Sequence, residues 1–134
     1  MRALEQDGEL KALLATVRDG EAPRVHPVSI GIVDGVVYVF VLPSAKLTDL
    51  LTDGRYALHA HLDPARPVEF QLRGRAREVT DQVIRQAVIG VWSFTPDDTY
   101  RLFACDIADV LLGKRDSSHE WPPRYSRWKA ASDR

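Results

Sequence analysis

PRVHPVSIGIVDGVVYVFVLPSAK, residues Pro23 to Lys46, decides how this chain folds. Two β-rich runs flank Asp34-Gly35, and a Ser-Ala-Lys step that can open a helix follows them. Asp-Gly between alternating apolar runs is a strong hairpin signal, because a two-residue primed turn needs positive φ and glycine supplies it without strain. With the turn placed there, Val33 faces Val36, Gly31 faces Tyr38, Ser29 faces Phe40, and Pro27 comes near Leu42. The opposite face carries Val28, Ile30, Ile32, Val37, Val39 and Val41, with Arg24 and His26 at its open end. That aliphatic face belongs in a core. On the first face small residues oppose aromatic ones, which suits close approach of another backbone or a flat ligand, and which packing alone also explains.

Working outward, Met1 to about Gly8 reads as a short helical turn, and Leu10 to Val17 as a first strand that ends at Arg18-Asp19-Gly20. After the hairpin, Ser44 is the expected N-cap of a helix with Leu47, Leu50 and Leu51 on its apolar stripe, and Gly54 ends it. Lys46 falls in the first turn, where free amide groups and the helix dipole favour an anion over a cation. A phosphate there would use the N–H groups, the Ser44 hydroxyl and the Lys46 ammonium together. A solvated surface lysine is the plainer reading of the same residues.

Arg55 to Leu62 alternates as a strand, with His59 and His61 on one face. Two histidines so placed can ligate a metal, with Asp63 the nearest acid, but surface or hydrogen-bonded histidines are the commoner case and no metal is expected. Pro64 to Pro67 reads as a loop. Val68 to Val79 is a half-exposed strand whose row of arginines is read as an ordinary solvated face. Thr80-Asp81 caps a second helix with Val83, Ile84, Ala87, Val88, Val91 and Trp92 on its apolar face. Tyr100 to Leu112 forms the last long strand, in which Cys105 reads as a small buried residue and Asp106 as a structural hydrogen-bonding group. Gly113 to Ser118 is a polar loop. The tail interleaves Trp121, Tyr125 and Trp128 with Arg124, Arg127 and Lys129, and is expected to dock on its own domain, a partner subunit or a flat cofactor.

The chain has 134 residues, a formal net charge of -1 and a single cysteine. Length favours one domain over residues 1–134. Near-neutral charge argues against nucleic acid as the main partner, and one cysteine excludes an internal disulfide. With no long apolar stretch and no signal-peptide pattern, a cytoplasmic location without membrane contact is expected. Six β-rich segments with helices after the third and fifth imply an α+β protein built on a small six-stranded antiparallel barrel with two or three peripheral helices. A barrel this small is filled by its own side chains, so a ligand binds outside it, on a face or at a subunit interface.

These segments resemble the flavin-binding split-barrel family, of Greek-key type, similar to pyridoxamine 5'-phosphate oxidase. The likeness lies in LLATVRDGEAPRVHPVSIGIVDGVVYVFV, then PSAKLTDLLTDGRYALHAHL, then Gly74-Arg75-Ala76 before a helix, and it runs from about Leu10 to Val110. It implies a homodimer with FMN in the groove between two chains. Arg24, Val25, His26, Pro27 and Phe40 would meet the ring and ribityl chain, Ser44 and Lys46 the phosphate, and Trp121 would reach the flavin. The implied function is hydride transfer through FMN with a small-molecule substrate and no protein nucleophile or general base. The vitamin B6 oxidases' C-terminal arginine and histidine pattern is missing from RYSRWK. Members commonly carry a second basic residue where this chain has Ala45, and a hydroxyl-bearing one where it has Phe40. Related branches use the deazaflavin coenzyme F-420, or bind haem, and a non-catalytic cofactor-binding module or a ligand-free interaction protein has the same fold.

Overall fold

The computed structural model describes residues 6–63, 66–115 and 121–130. Its strands are β1 (Gly8–Thr16), β2 (Arg24–Val33), β3 (Val36–Val41), β4 (Arg55–Asp63), β5 (Arg66–Val79), β6 (Arg101–Lys114) and β7 (Arg124–Lys129). Helix α1 (Ala45–Thr52) follows β3, and α2 (Gln82–Val91) follows β5. The strand order is β3-β2-β1-β4-β5-β6-β7, and pairing of β3 with β6 closes the first six into an antiparallel barrel. This is the expected α+β split barrel, with β7 added outside it.

The hairpin forms in the expected register, Val33 opposite Val36 and Gly31 opposite Tyr38. Asp34 and Gly35 both take positive φ, 51° and 75°, as a type I′ turn requires. Its aliphatic face fills the barrel: Ile30, Ile32, Val37, Val39 and Val41 are buried with Leu14, Leu58, Phe70, Leu72 and Phe103. Each such side chain contributes about 1.5–3 kcal/mol over remaining exposed. The other face is covered by α2. A Cβ on Gly31 would meet Val88 and Trp92 at 3.3 and 3.4 Å, so the missing side chain is what lets the helix lie on β2. Cys105 is buried and its thiol pKa is pushed up to about 12, first by desolvation and then by Asp106, as suits an inert packing residue.

Several expectations are corrected. Gly8 already belongs to β1, and residues 1–5 of the expected first turn lie outside the described residues, as do residues 64–65 of the Pro64 loop and 116–118 of the polar loop. Gly113 and Lys114 extend β6 instead of opening that loop. Val83 is 80% exposed, while Val88 carries the buried contact of α2. The tail docks on its own domain, one of the expected alternatives: Arg124–Lys129 form β7, paired with Asp109–Lys114 of β6. β6 thus serves β3 with its first half and β7 with its second, and β5 along nearly its whole length. No helix among the described residues is long and apolar enough to cross a membrane.

Candidate functional site

Helix α1 seals one end of the barrel, and a buried acid fixes it there. Leu47 and Leu50 enter the core, and Asp49, between them, is 1% exposed. Its carboxylate accepts from Thr16 Oγ1 at 2.7 Å and Arg24 Nε at 3.0 Å, and Arg18 Nε lies 2.6 Å from its other oxygen. Burial opposes its ionisation, but the hydrogen bonds from Thr16 and Arg24 and the charges of Arg24 and Arg18 together hold its pKa below the ordinary carboxylate value. Asp49→Ala is expected to cost up to about 3 kcal/mol of unfolding free energy, read by urea denaturation, because it removes the buried acceptor shared by Thr16, Arg18 and Arg24 and leaves the two arginines only Glu21. Because the folded-state pKa is the depressed one, this stabilisation is complete at neutral pH and is lost as pH falls through the folded-state value. The stability difference between wild type and Asp49→Asn should therefore begin to shrink only below about pH 3.9 and level off only beneath the still lower folded-state value.

The helix start has the expected form. Ser44 is the N-cap: its Oγ accepts from Leu47 N at 3.2 Å and donates to the Leu42 carbonyl at 2.9 Å. That hydroxyl is committed to the turn, so the first-turn N–H groups and Lys46 are what remain for a ligand. Lys46 is half-buried and, among the described residues, makes no ion pair. Desolvation lowers its pKa. An ammonium that is partly desolvated, at the positive end of a helix and without a counter-ion among the described residues is destabilised where it stands, and a bound anion would relieve all three effects. Past the helix, Gly54 takes φ +83° and its N–H returns to the Asp49 carbonyl, as a left-handed C-terminal cap does.

The remaining candidate residues fall in three places. Arg24 is tied through Asp49 to the helix that carries Lys46, and its Nη2 also reaches Glu21 at 2.6 Å. Val25 is 62% exposed and Pro27 is exposed, on the outer face of β2 beside Leu13 of β1, while His26 turns the other way and is half-buried with Nε2 unpartnered. Phe40 is on the same outer side of the hairpin but buried beneath the α2 end, edge-on to Trp92 and Tyr100 with the Arg85 guanidinium 5.0 Å above its ring. Trp121 is exposed and shares a small cavity of about 80 Å³ with His61, Glu69, Gly113, Arg115 and Pro123. His61 lies five residues along β4 from Tyr56, the partner of Thr16, or roughly 16 Å of extended chain. Within one chain Trp121 is therefore remote from the Asp49 end of the barrel.

The split itself opens a groove. β1 pairs with β2 throughout but with β4 only over Leu13–Thr16, so Gly8–Ala12 diverges from the far end of β4. A groove of about 590 Å³ results, lined mainly by Leu10, Ala12, Leu13, Pro27, His59 and Ala60. Three arginines of β5 are engaged locally: Arg73 with Asp109, Arg77 with Asp106, and Arg75 with the Asp53 carbonyl. Asp49 was missed by sequence reasoning, although an acid between two core leucines was the available signal.

Comparison with solved structures bears out the fold. The chain is similar to a haem-binding protein from Mycobacterium smegmatis (TM-score 0.70, 16% identity, 90% of this chain and 52% of that one). It is also similar to an FAD-binding protein from Mesorhizobium loti (0.66, 20%, 83% and 88%). A third is PhzG from Burkholderia lata 383, solved with tetrahydrophenazine-1-carboxylic acid (0.68, 10%, 92% and 77%). The chain spans about half the length of the mycobacterial protein. No protein-family model and no curated protein sequence matches it. The fold is that of the flavin-binding split barrels related to pyridoxamine 5'-phosphate oxidase.

Proposed function

We propose that this chain is a cytoplasmic, homodimeric FMN-binding oxidoreductase of the split-barrel type, with the flavin phosphate held at the start of α1. The observation that carries this reading is Lys46, half-buried, partly desolvated and without an ion-pair partner among the described residues, at a helix N-terminus. Arg24, already oriented by Asp49, stands at the entry of the strand whose outer residues, Val25 and Pro27, offer an apolar surface to the ring. Bound flavin would supply the hydride chemistry, and the chain would bind, orient and exclude water. Leu13, 48% exposed, extends the same apolar patch, which a second copy would cover. That copy would bring Trp121 to the flavin, since Trp121 lies far from Lys46 within one chain. The structural neighbours include flavin- and haem-binding proteins, which supports a planar cofactor of this kind.

FMN is favoured over the deazaflavin because Arg18 and Arg24 are already engaged by Asp49, leaving few free cations near α1 for a longer anionic tail. The test is to purify the full chain without added cofactor, record its visible spectrum, and titrate apoprotein with FMN, coenzyme F-420 and haemin. A yellow protein with a flavin spectrum and selective FMN uptake is expected, with light scattering giving a dimer. Selective uptake of either other cofactor, or of none, overturns the reading.

A further inference from the structure

We propose that His59, His61 and Glu69 form a binding site for a single divalent transition-metal ion of the zinc class, apart from the phosphate anchor. Alternation along β4 puts both histidines on one side, and the β4–β5 register sets Glu69 directly opposite His61. Their ligating atoms all lie within 4.8 Å of one another. His59 Nε2 is 2.8 Å from Glu69 Oε2, and the imidazoles meet edge-on with centroids 5.2 Å apart. Tetrahedral zinc, with bonds of about 2.0–2.1 Å, keeps its ligand atoms about 3.3 Å apart. The observed separations, from 2.8 Å to at most 4.8 Å, bracket that spacing.

Two histidines and a carboxylate are a donor set suited to zinc or cobalt, with a fourth position left open to water or a ligand. That position has room. His59 and His61 line the 590 Å³ groove on one side, and His61 and Glu69 line the small cavity under Trp121 on the other. Glu69 also has a prepared seat: a Cβ on Gly113 would stand 3.1 Å from both its Cγ and its Oε1. A surface His59–Glu69 hydrogen bond accounts for two of the three residues and gives His61 no role. Lys11 and Arg115 line the two cavities and oppose a dication, so moderate affinity is expected.

The experiment is a titration of untagged, full-length protein with Co²⁺, following the visible band of four-coordinate cobalt, then displacement by Zn²⁺ and metal analysis after gel filtration. One Co²⁺ per chain, displaced by Zn²⁺, is expected. His61→Ala and Glu69→Gln should each weaken binding by more than the about ten-fold typical of losing a supporting group. Lys46→Ala should leave metal binding unchanged, which separates this site from the flavin reading. Thermal melts verify that each variant is folded, as expected for a site at which His61 is exposed. No band in wild type, or equal cobalt affinity in the His59→Ala/His61→Ala double variant, overturns the proposal.

Discussion

Gly74→Ala is expected to abolish folding or to cost more than about 4 kcal/mol, the range reserved for mutations that break a specific structural device. Gly74 stands where β5 meets a bulge in β6: Arg73 pairs with Asp109 and Gly74 with Ile107, leaving Ala108 as the extra residue. A Cβ at this point would lie 1.9 Å from the Asp106 carbonyl oxygen and 3.1 Å from Ala108 N. These are backbone atoms of the strand that closes the barrel, so no rotamer change can relieve the clash. Gly90→Ala is the matched control. A Cβ there meets nothing within 4 Å, and its place in α2 predicts a gain of up to about 1 kcal/mol. Urea denaturation of both variants checks the pair, and similar midpoints would remove the role assigned to the bulge.

Lys46→Ala is expected to weaken FMN binding by about 10- to 100-fold, the equivalent of one charge-assisted hydrogen bond of about 1.5–3 kcal/mol. The cofactor-free variant should unfold within about 0.5 kcal/mol of wild type, since Lys46 is only half-buried and contributes no ion pair among the described residues. Loss of flavin with retained stability is therefore the informative pattern. Fluorescence titration with FMN reads the first quantity and a urea melt the second. A variant that binds FMN as tightly as wild type would move the phosphate away from α1.

The hairpin, its register and the faces of its strands were legible because they are local: a turn dipeptide and a period of two decide them. Both helix starts were legible for the same reason, Ser44 and Asp81 each accepting from first-turn amides. β7 was not. RYSRWK is exposed at all six positions, so no buried face marks it as a strand. Asp49 was hidden because its partners Thr16, Arg18 and Arg24 come from β1 and the loop and strand after it, and only the folded barrel brings them under α1. Val83 misled because its helical spacing matches Ile84 and Val88, yet α2 rests on β2 through Val88, near Gly31. Phe40, given a ligand role by resemblance, is surrounded within its own chain by Trp92, Tyr100 and Arg85, contacts that only the folded α2 side brings together. The groove could not be foreseen, because it depends on where β1 stops pairing with β4.

The closing pair of the barrel also sets the order of events as the chain is made. β3, with the sequence VVYVFV, stays an open edge until β6 arrives, since Val37 pairs with Cys105 and Val41 with Arg101. Between them a nascent chain must add α1, β4, β5 and α2. Throughout that interval the hexapeptide has the β-branched, aromatic and uncharged character of a cross-β segment. Such long-range closure is slow relative to local structure formation. Temperature and expression rate should therefore govern soluble yield more strongly than the stability of the finished barrel does.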